Sequence, residues 1–326
     1  MRAAALRACV AGLAGALLLA APAVRAQPAS SAAASCPPSA AAPTPEQMQA
    51  AAREARDRGL LWRLRKDGRI SYLYGTIHVG RLEWVFPGRA LAGALREADT
   101  LALELDPADP AVAQGLAAAA SAAKTPALPA PLQERLQRQL AAACVPPAAV
   151  RGMHPVMQAV TLALLAGRWD GLDAAYAQEW MLMREARTLQ RPVVSLETAQ
   201  SQLAVLLPSD DGEIVKLVDE TLDQLERGRL RPVLLRLSAA WERGDLADLE
   251  TYERWCECAD TDEERAFMRR LNDERNPAFA QRIDALHMQG RRVFAAVGAL
   301  HMTGVQGLPR LLAERGYVVE RIRFER

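Results

Sequence analysis

Two Gly-x-x-His motifs, Gly75-Thr76-Ile77-His78 and Gly298-Ala299-Leu300-His301, hold two of the chain's four histidines. Each lies at the end of a strand-like stretch, Ile70 to Tyr74 and Arg292 to Val297. A glycine there permits an unusual backbone turn, and a histidine three residues on can point back over the strand end. Three carboxylates hold equivalent places: Glu104 within and Asp106 just after Thr100 to Leu105, and Glu197 directly after Pro192 to Leu196. Imidazoles with carboxylates form a site for a divalent first-row metal. Such a metal lowers the pKa of its water and polarises a carbonyl, which is the chemistry of metal-assisted hydrolysis.

Each of these residues has a plainer role to set beside that one. A carboxylate inside Leu-Ala-Leu-Glu-Leu is costly to bury unless paired, and Glu104 could simply bond an arginine at the sheet edge. Asp106, before Pro107, can shape a turn, and Glu197 can cap a helix through its dipole. His154, before Pro155 at a helix start, and His287, on an amphipathic helix, read as structural. Arg275, in the Arg-Asn-Pro break between two helices, is a surface charge or a group that orients a carboxylate or stabilises an oxyanion.

The elements that must position these groups alternate. Leu60 to Arg65 and Ile70 to Tyr74 flank Lys66-Asp67-Gly68-Arg69, a hairpin signal. Helical periodicity marks Glu46 to Arg58, Pro87 to Ala98, Ala111 to Ala123, Pro131 to Ala143, Pro155 to Ala166 and Leu172 to Leu189. A helix follows from Thr198, three or four more run from Asp211 to Gln289, and Leu308 to Arg315 precedes a last strand, Val318 to Ile322. The expectation is an α/β fold, a partly parallel central sheet covered by helices, with a large helical insert from about Ala111 to Leu189. Ligands bind at the carboxyl ends of strands in such sheets, where all five candidates fall.

Arg2 and Arg7 precede an apolar run from Ala8 to Ala23 and a small-residue site at Val24-Arg25-Ala26, the pattern of a cleavable secretory signal. Residues 1–26 are therefore expected to leave, 27–58 to form an Ala/Pro/Ser-rich tether and short helix, and 59–326 to form the α/β domain. The destination is the periplasm or the exterior, and no later stretch is apolar enough to span a membrane. With 40 Lys+Arg against 39 Asp+Glu the formal charge is +1, which leaves no basic excess for nucleic acid. Loss of Arg2, Arg7 and Arg25 takes the mature chain to −2. Cys36, Cys144, Cys256 and Cys258 remain after cleavage and are expected to form disulfides. A Cys256–Cys258 bridge would close a very small ring, so crossed pairing with Cys36 and Cys144 is expected.

The ordered set Tyr-Leu-Tyr-Gly-Thr-Ile-His-Val-Gly (72–80), Leu-Glu-Leu-Asp-Pro (103–107), Gly-Leu-Asp (171–173), Ser-Leu-Glu-Thr (195–198), Glu-Arg-Asn (274–276) and Val-Gly-Ala-Leu-His-Met-Thr-Gly (297–304) resembles the TraB/GumN family. That family is related to the Tiki metalloproteases and the pheromone-shutdown protein PrgY, and the resemblance runs from about Leu60 to the C-terminus. It implies a metal site at His78, Glu104 and His301, with Arg275 matching an arginine of the late motif. Tiki proteins are Mn- or Co-dependent proteases, so the resemblance implies a divalent cofactor (Mn, Co or Zn) and a peptide or protein substrate. The wider superfamily also reaches erythromycin esterases and haem-binding ChaN-type proteins, so the fold alone does not fix the chemistry.

Two functional readings follow. One is an exported metal-dependent hydrolase, a peptidase with Glu104 and Arg275 catalytic and Asp106 and Glu197 as additional site residues. The other is a periplasmic binding module for a peptide, haem or metal on the same fold. Metal-free activation of water by His and Glu is a variant of the first.

Overall fold

The computed structural model describes residues 36–324, so the signal segment and residues 27–35 of the tether lie outside the described residues. Six strands form one mixed sheet: β1 (Leu60–Lys66), β2 (Arg69–Thr76), β3 (Thr100–Leu103), β4 (Val193–Ser195), β5 (Val293–Gly298) and β6 (Val318–Ile322). Their spatial order is β4-β3-β5-β2-β1-β6. The four strands β4, β3, β5 and β2 are mutually parallel, while β1 runs antiparallel to both β2 and β6. Asp67 and Gly68 both take positive φ, 49° and 72°, in the β1–β2 hairpin, which suits the right-handed twist of the strands it joins.

The parallel strands read as near-continuous apolar runs because helices cover both of their faces. Val293 to Val297 of β5 are all buried, and Phe294 packs against Tyr72 and Tyr74. The register brings the strand ends level, with Thr76 opposite Gly298 and Leu103 opposite Ala296. Whatever follows β2, β3 and β5 therefore meets at one end of the sheet.

Both long crossovers are helical. Four helices join β3 to β4: Pro110–Ala122, Ala130–Ala142, Pro155–Ala166 and Gln178–Thr188. Among the described residues, β4 to β5 carries Ala199–Leu206, Asp211–Glu226, Leu230–Glu242, Leu246–Glu250, Asp262–Leu271 and Asn276–Met288. Helical packing thus continues well past the insert expected at Ala111 to Leu189, and five helices fill Asp211 to Gln289 instead of three or four. The helix expected from Leu172 starts only at Gln178. Asp173 is held in a bridge to Gly80 by two backbone bonds, and a short 3-10 turn, Ala174–Tyr176, intervenes.

The cysteines pair as Cys36–Cys144 and Cys256–Cys258, not crosswise. The small ring closes because Glu257 adopts the left-handed conformation, φ 55°, which brings the flanking Cα atoms to 5.1 Å. Downstream of Cys36 the chain is fastened again. The Ala40 N–H donates to the Asp173 carboxylate, and Thr44 caps the helix Pro45–Arg53.

Candidate active site

His78, Glu104 and His301 converge above the ends of β2, β3 and β5. A Cβ built on Gly298 would lie 3.5 Å from Glu104 Oε1, 3.6 Å from His301 Cδ2 and 3.7 Å from His78 Nε2. One methyl-sized point thus touches all three side chains. The glycines of the two motifs work through space and not through an unusual turn, since neither takes positive φ. A Cβ on Gly75 would stand 3.1 Å from Ala299 Cα, so glycine is what lets the first motif pack against the backbone of the second. The Gly75 carbonyl is held in turn by Trp241 Nε1–H at 2.8 Å.

Each imidazole has one nitrogen fixed from behind. Asn276 Nδ2 donates to the carbonyls of His301 and Gln306, at 3.3 and 2.8 Å, so its Oδ1 faces His301 Nδ1 at 2.7 Å. His301 therefore carries its proton on Nδ1 and turns the Nε2 lone pair into the cleft. Burial, and then the Arg275 charge, push the His301 imidazole down to about 3, so it is neutral near pH 7. His78 Nδ1 lies 3.1 Å from Glu179 Oε1. Burial works against the His78 imidazolium, but the Glu179 carboxylate outweighs it and raises the pKa to about 8.

Arg275 ties the carboxylates together. Its guanidinium donates to Glu104 Oε2 at 2.6 Å, to Glu197 and to the Leu271 carbonyl, and its Nη1 lies 3.3 Å from His301 Nε2. Glu104 Oε1 accepts the Gly298 N–H at 2.8 Å and lies 4.0 Å from His301 Nε2. Burial pushes the Glu104 carboxyl up. Arg275, both imidazoles and the Gly298 N–H more than reverse that and hold it well below the usual carboxylate range. Burial dominates at Glu197, whose pKa is raised despite Arg275. Gln202 bridges the two acids, 3.1 Å from Glu197 and 3.5 Å from Glu104.

Four of the residues singled out beforehand, His78, Glu104, His301 and Arg275, thus meet, and Glu197 joins them through Arg275. Glu104 does bond an arginine, but not at the sheet edge: it stands just past the end of the interior strand β3, which stops at Leu103 and not at Leu105. Asp106 stands apart: its N–H donates to Ser195 Oγ and its carboxylate accepts the Ala108 N–H, so it shapes the turn after β3. His154 caps the helix Pro155–Ala166, and His287 bonds Ser71 Oγ and the Lys66 carbonyl, away from the site. Glu179, Asn276 and Gln202 had no assigned role. Asn276 follows Arg275 in the Glu-Arg-Asn segment, a local signal that could have found it, whereas Glu179 sits in the helical insert without a pattern to mark it.

The site residues border a cavity of about 50 Å³, walled on one side by Leu164, Leu234, Leu237, Trp241 and Leu300. That is room for a few waters. Thr76 Oγ1, Glu179 Oε2 and Gln202 Oε1 are buried without a hydrogen-bond partner among the described residues. The Nε2 of His301, the Nε2 of His78 once its imidazolium has lost a proton, and an ionised carboxylate are the donor types a divalent ion takes, each ring being backed at Nδ1 by an acceptor. Among the described residues, no three His, Cys, Asp or Glu side chains stand at metal-ligand spacing as they lie. Arg275 engages the Glu104 oxygen that does not face Gly298.

The uncharacterised protein YbaP of Shigella flexneri is 27% identical over 259 residues, covering 75% of this chain and 88% of that protein. YbaP of Escherichia coli K12 is 27% identical over 256 residues, covering 74% and 87%. No solved structure matches the chain. The sequence profile of the TraB/PrgY/gumN family matches residues 60–321, which contain both Gly-x-x-His motifs and every residue placed in the site. The chain belongs to the TraB/PrgY/gumN family.

Proposed function

We propose that this protein is an exported hydrolase, a metal-dependent peptidase whose divalent ion (Mn, Co or Zn) is held by His78, Glu104 and His301. The observation that carries the reading is the single point beside Gly298 on which these three side chains close. A bound ion would lower the pKa of a water and polarise the scissile carbonyl. The chain's own groups prepare for that chemistry. His301 is kept neutral with Nε2 facing inward, and Glu179 holds His78 in the corresponding orientation. Glu104 stays ionised as ligand or general base, and Arg275 positions it together with Glu197. Leu164, Leu234 and Trp241 line the same cavity and give it apolar surface beside the polar groups. Two disulfides accord with an oxidising destination and with the signal sequence at residues 1–26.

A second reading is favoured by the Arg275–Glu104 pair, which already neutralises the carboxylate a metal would use. In it, His78 and Glu104 activate water without an ion. Metal analysis and peptide cleavage on residues 27–326, beside His78→Ala and His301→Ala, separate the readings. The metallopeptidase reading expects near-stoichiometric metal, lost together with cleavage in both variants. Cleavage that survives excess chelator establishes the metal-free route. Folded protein without metal or cleavage leaves a binding module, and a haemin titration read at the Soret band tests its haem form.

A further inference from the structure

Strand β4 is an edge of the sheet. Its bonds to β3 use the Pro192 carbonyl, which accepts from Leu101 N–H, and the Leu196 N–H, which donates to Leu103. In a parallel ladder with that register, Val194 also faces β3, while the N–H and C=O of Val193 and Ser195 point away from it. Those four groups have no backbone partner among the described residues.

The outward side of β4 opens on a groove of about 930 Å³. Its walls are the helices Pro110–Ala122 and Ala199–Leu206. The first of these carries no charged residue, yet buries none of its residues fully. The groove is thus apolar along its sides with a row of unpaired backbone groups along one edge. An acyl chain would leave that row unsatisfied, whereas an extended peptide would pair with it.

The groove is also polarised. Asp106 and Asp109 stand at the end where the strands finish. Arg282 lines it lower down and makes no ion pair or hydrogen bond among the described residues. The helix Asn276–Met288 descends from the site at Asn276 to His287 beside Lys66, which places Arg282 below the acids. At its upper end the groove reaches Glu197, whose carboxylate also bonds Arg275 in the candidate active site.

We propose that β4 is the docking edge for the peptide substrate, which adds as a further strand antiparallel to β4. A basic or amino-terminal group then lies at Asp106 and Asp109, and an acidic residue at Arg282. What happens to the peptide next rests on the peptidase reading above. The docking itself does not, because binding can be read without turnover.

The test is fluorescence anisotropy of a fluorescein-labelled octapeptide of alternating Thr and Val with an N-terminal Lys and a C-terminal Glu. Val193→Pro removes one outward N–H at a strand edge where proline is tolerated. Arg282→Glu reverses the exposed charge. Saturable binding to the wild type is expected, weakened about tenfold in each variant and about tenfold by N-methylation of alternate peptide nitrogens. His78→Ala is expected to bind as the wild type does while losing cleavage. The proposal is overturned by absent binding, by equal affinity for the N-methylated peptide, by full binding in Arg282→Glu, or by a saturated fatty acid that displaces the peptide at matching affinity. Binding as expected with no cleavage of any peptide would remove the peptidase reading and leave the docking edge standing.

Discussion

Asn276 decides which nitrogen of His301 faces the cleft, because its own amide is oriented by two backbone carbonyls. Replacing it by alanine frees the ring to rotate or change tautomer and leaves those carbonyls short of a donor. Outer partners of this kind are worth about 10–100-fold in metal affinity or activity. Asn276→Ala is therefore expected to lose cleavage by that factor and to lower stability by roughly 1–3 kcal/mol. Steady-state kinetics and a urea titration check both, and a variant with undiminished activity would sink the role given to Asn276. The first layer of the site was legible at this scale for a physical reason. A glutamate inside an apolar strand and an arginine at a helix break both demand partners, and each is the other's partner here. The layer behind was not, since Glu179 reaches His78 only through the path of the insert, which leaves no local trace in the sequence.

Gly75 belongs to the scale of elements, where β2 ends against the turn Ala299–Met302 that carries His301. A Cβ there meets Ala299 Cα at 3.1 Å, a contact with backbone that cannot swing aside. Gly75→Ala is expected to cost about 1–3 kcal/mol, the range for overpacking, and to cut activity further by pushing the two histidines apart. Denaturant midpoints report the first effect. An alanine variant with wild-type stability would mean that the turn yields without cost. Gly298→Ala offers a contrast, because its Cβ meets only ordinary contacts and intrudes on the cleft itself. That substitution is expected to spare stability and lose activity. Strands β3 and β5 were readable because buried parallel strands leave apolar runs, and β2, which holds Arg69 and Ser71, because a hairpin signal precedes it. The helices between Asp211 and Gln289 were harder to divide, since all the junctions but the one from Glu250 to Asp262 are only three or four residues long. The disulfides were misread because pairing depends on one residue's φ, that of Glu257, and composition carries no information about it.

At the scale of the whole molecule, opposed titrations set how stability varies with pH. On the acid side, His301 is neutral in the fold down to about 3, while the unfolded imidazole takes its proton near 6.5. The unfolded chain binds more protons in that interval, so stability falls as pH drops through it, and Glu104 adds to the loss at lower pH. On the alkaline side the controlling group is Glu220, buried on the helix Asp211–Glu226 with Oε2 unpartnered among the described residues. Burial raises its pKa to about 8. Lys216 opposes that rise, while Glu264, Asp219 and Asp223 add to it. Glu264 is itself spent on the cap of the helix Asp262–Leu271, where one oxygen accepts the N–H groups of Asp260 and Thr261. At Glu220 the folded chain thus keeps a proton that the unfolded one has lost, from the ordinary carboxylate range up to about 8, which lowers stability as pH rises through that window and which His301 opposes below about 6.5. His78, raised to about 8 from the usual 6.5, contributes in the same direction over the upper part of it. Glu220→Gln keeps the shape and removes the titration. Urea midpoints at about pH 5 and pH 9 should therefore differ less in the variant than in the wild type, through a gain at the alkaline end and little change at the acid end. An equal drop in both proteins would assign the alkaline loss to His78 and the surface charges, and Glu220 would then be ionised within the fold at neutral pH.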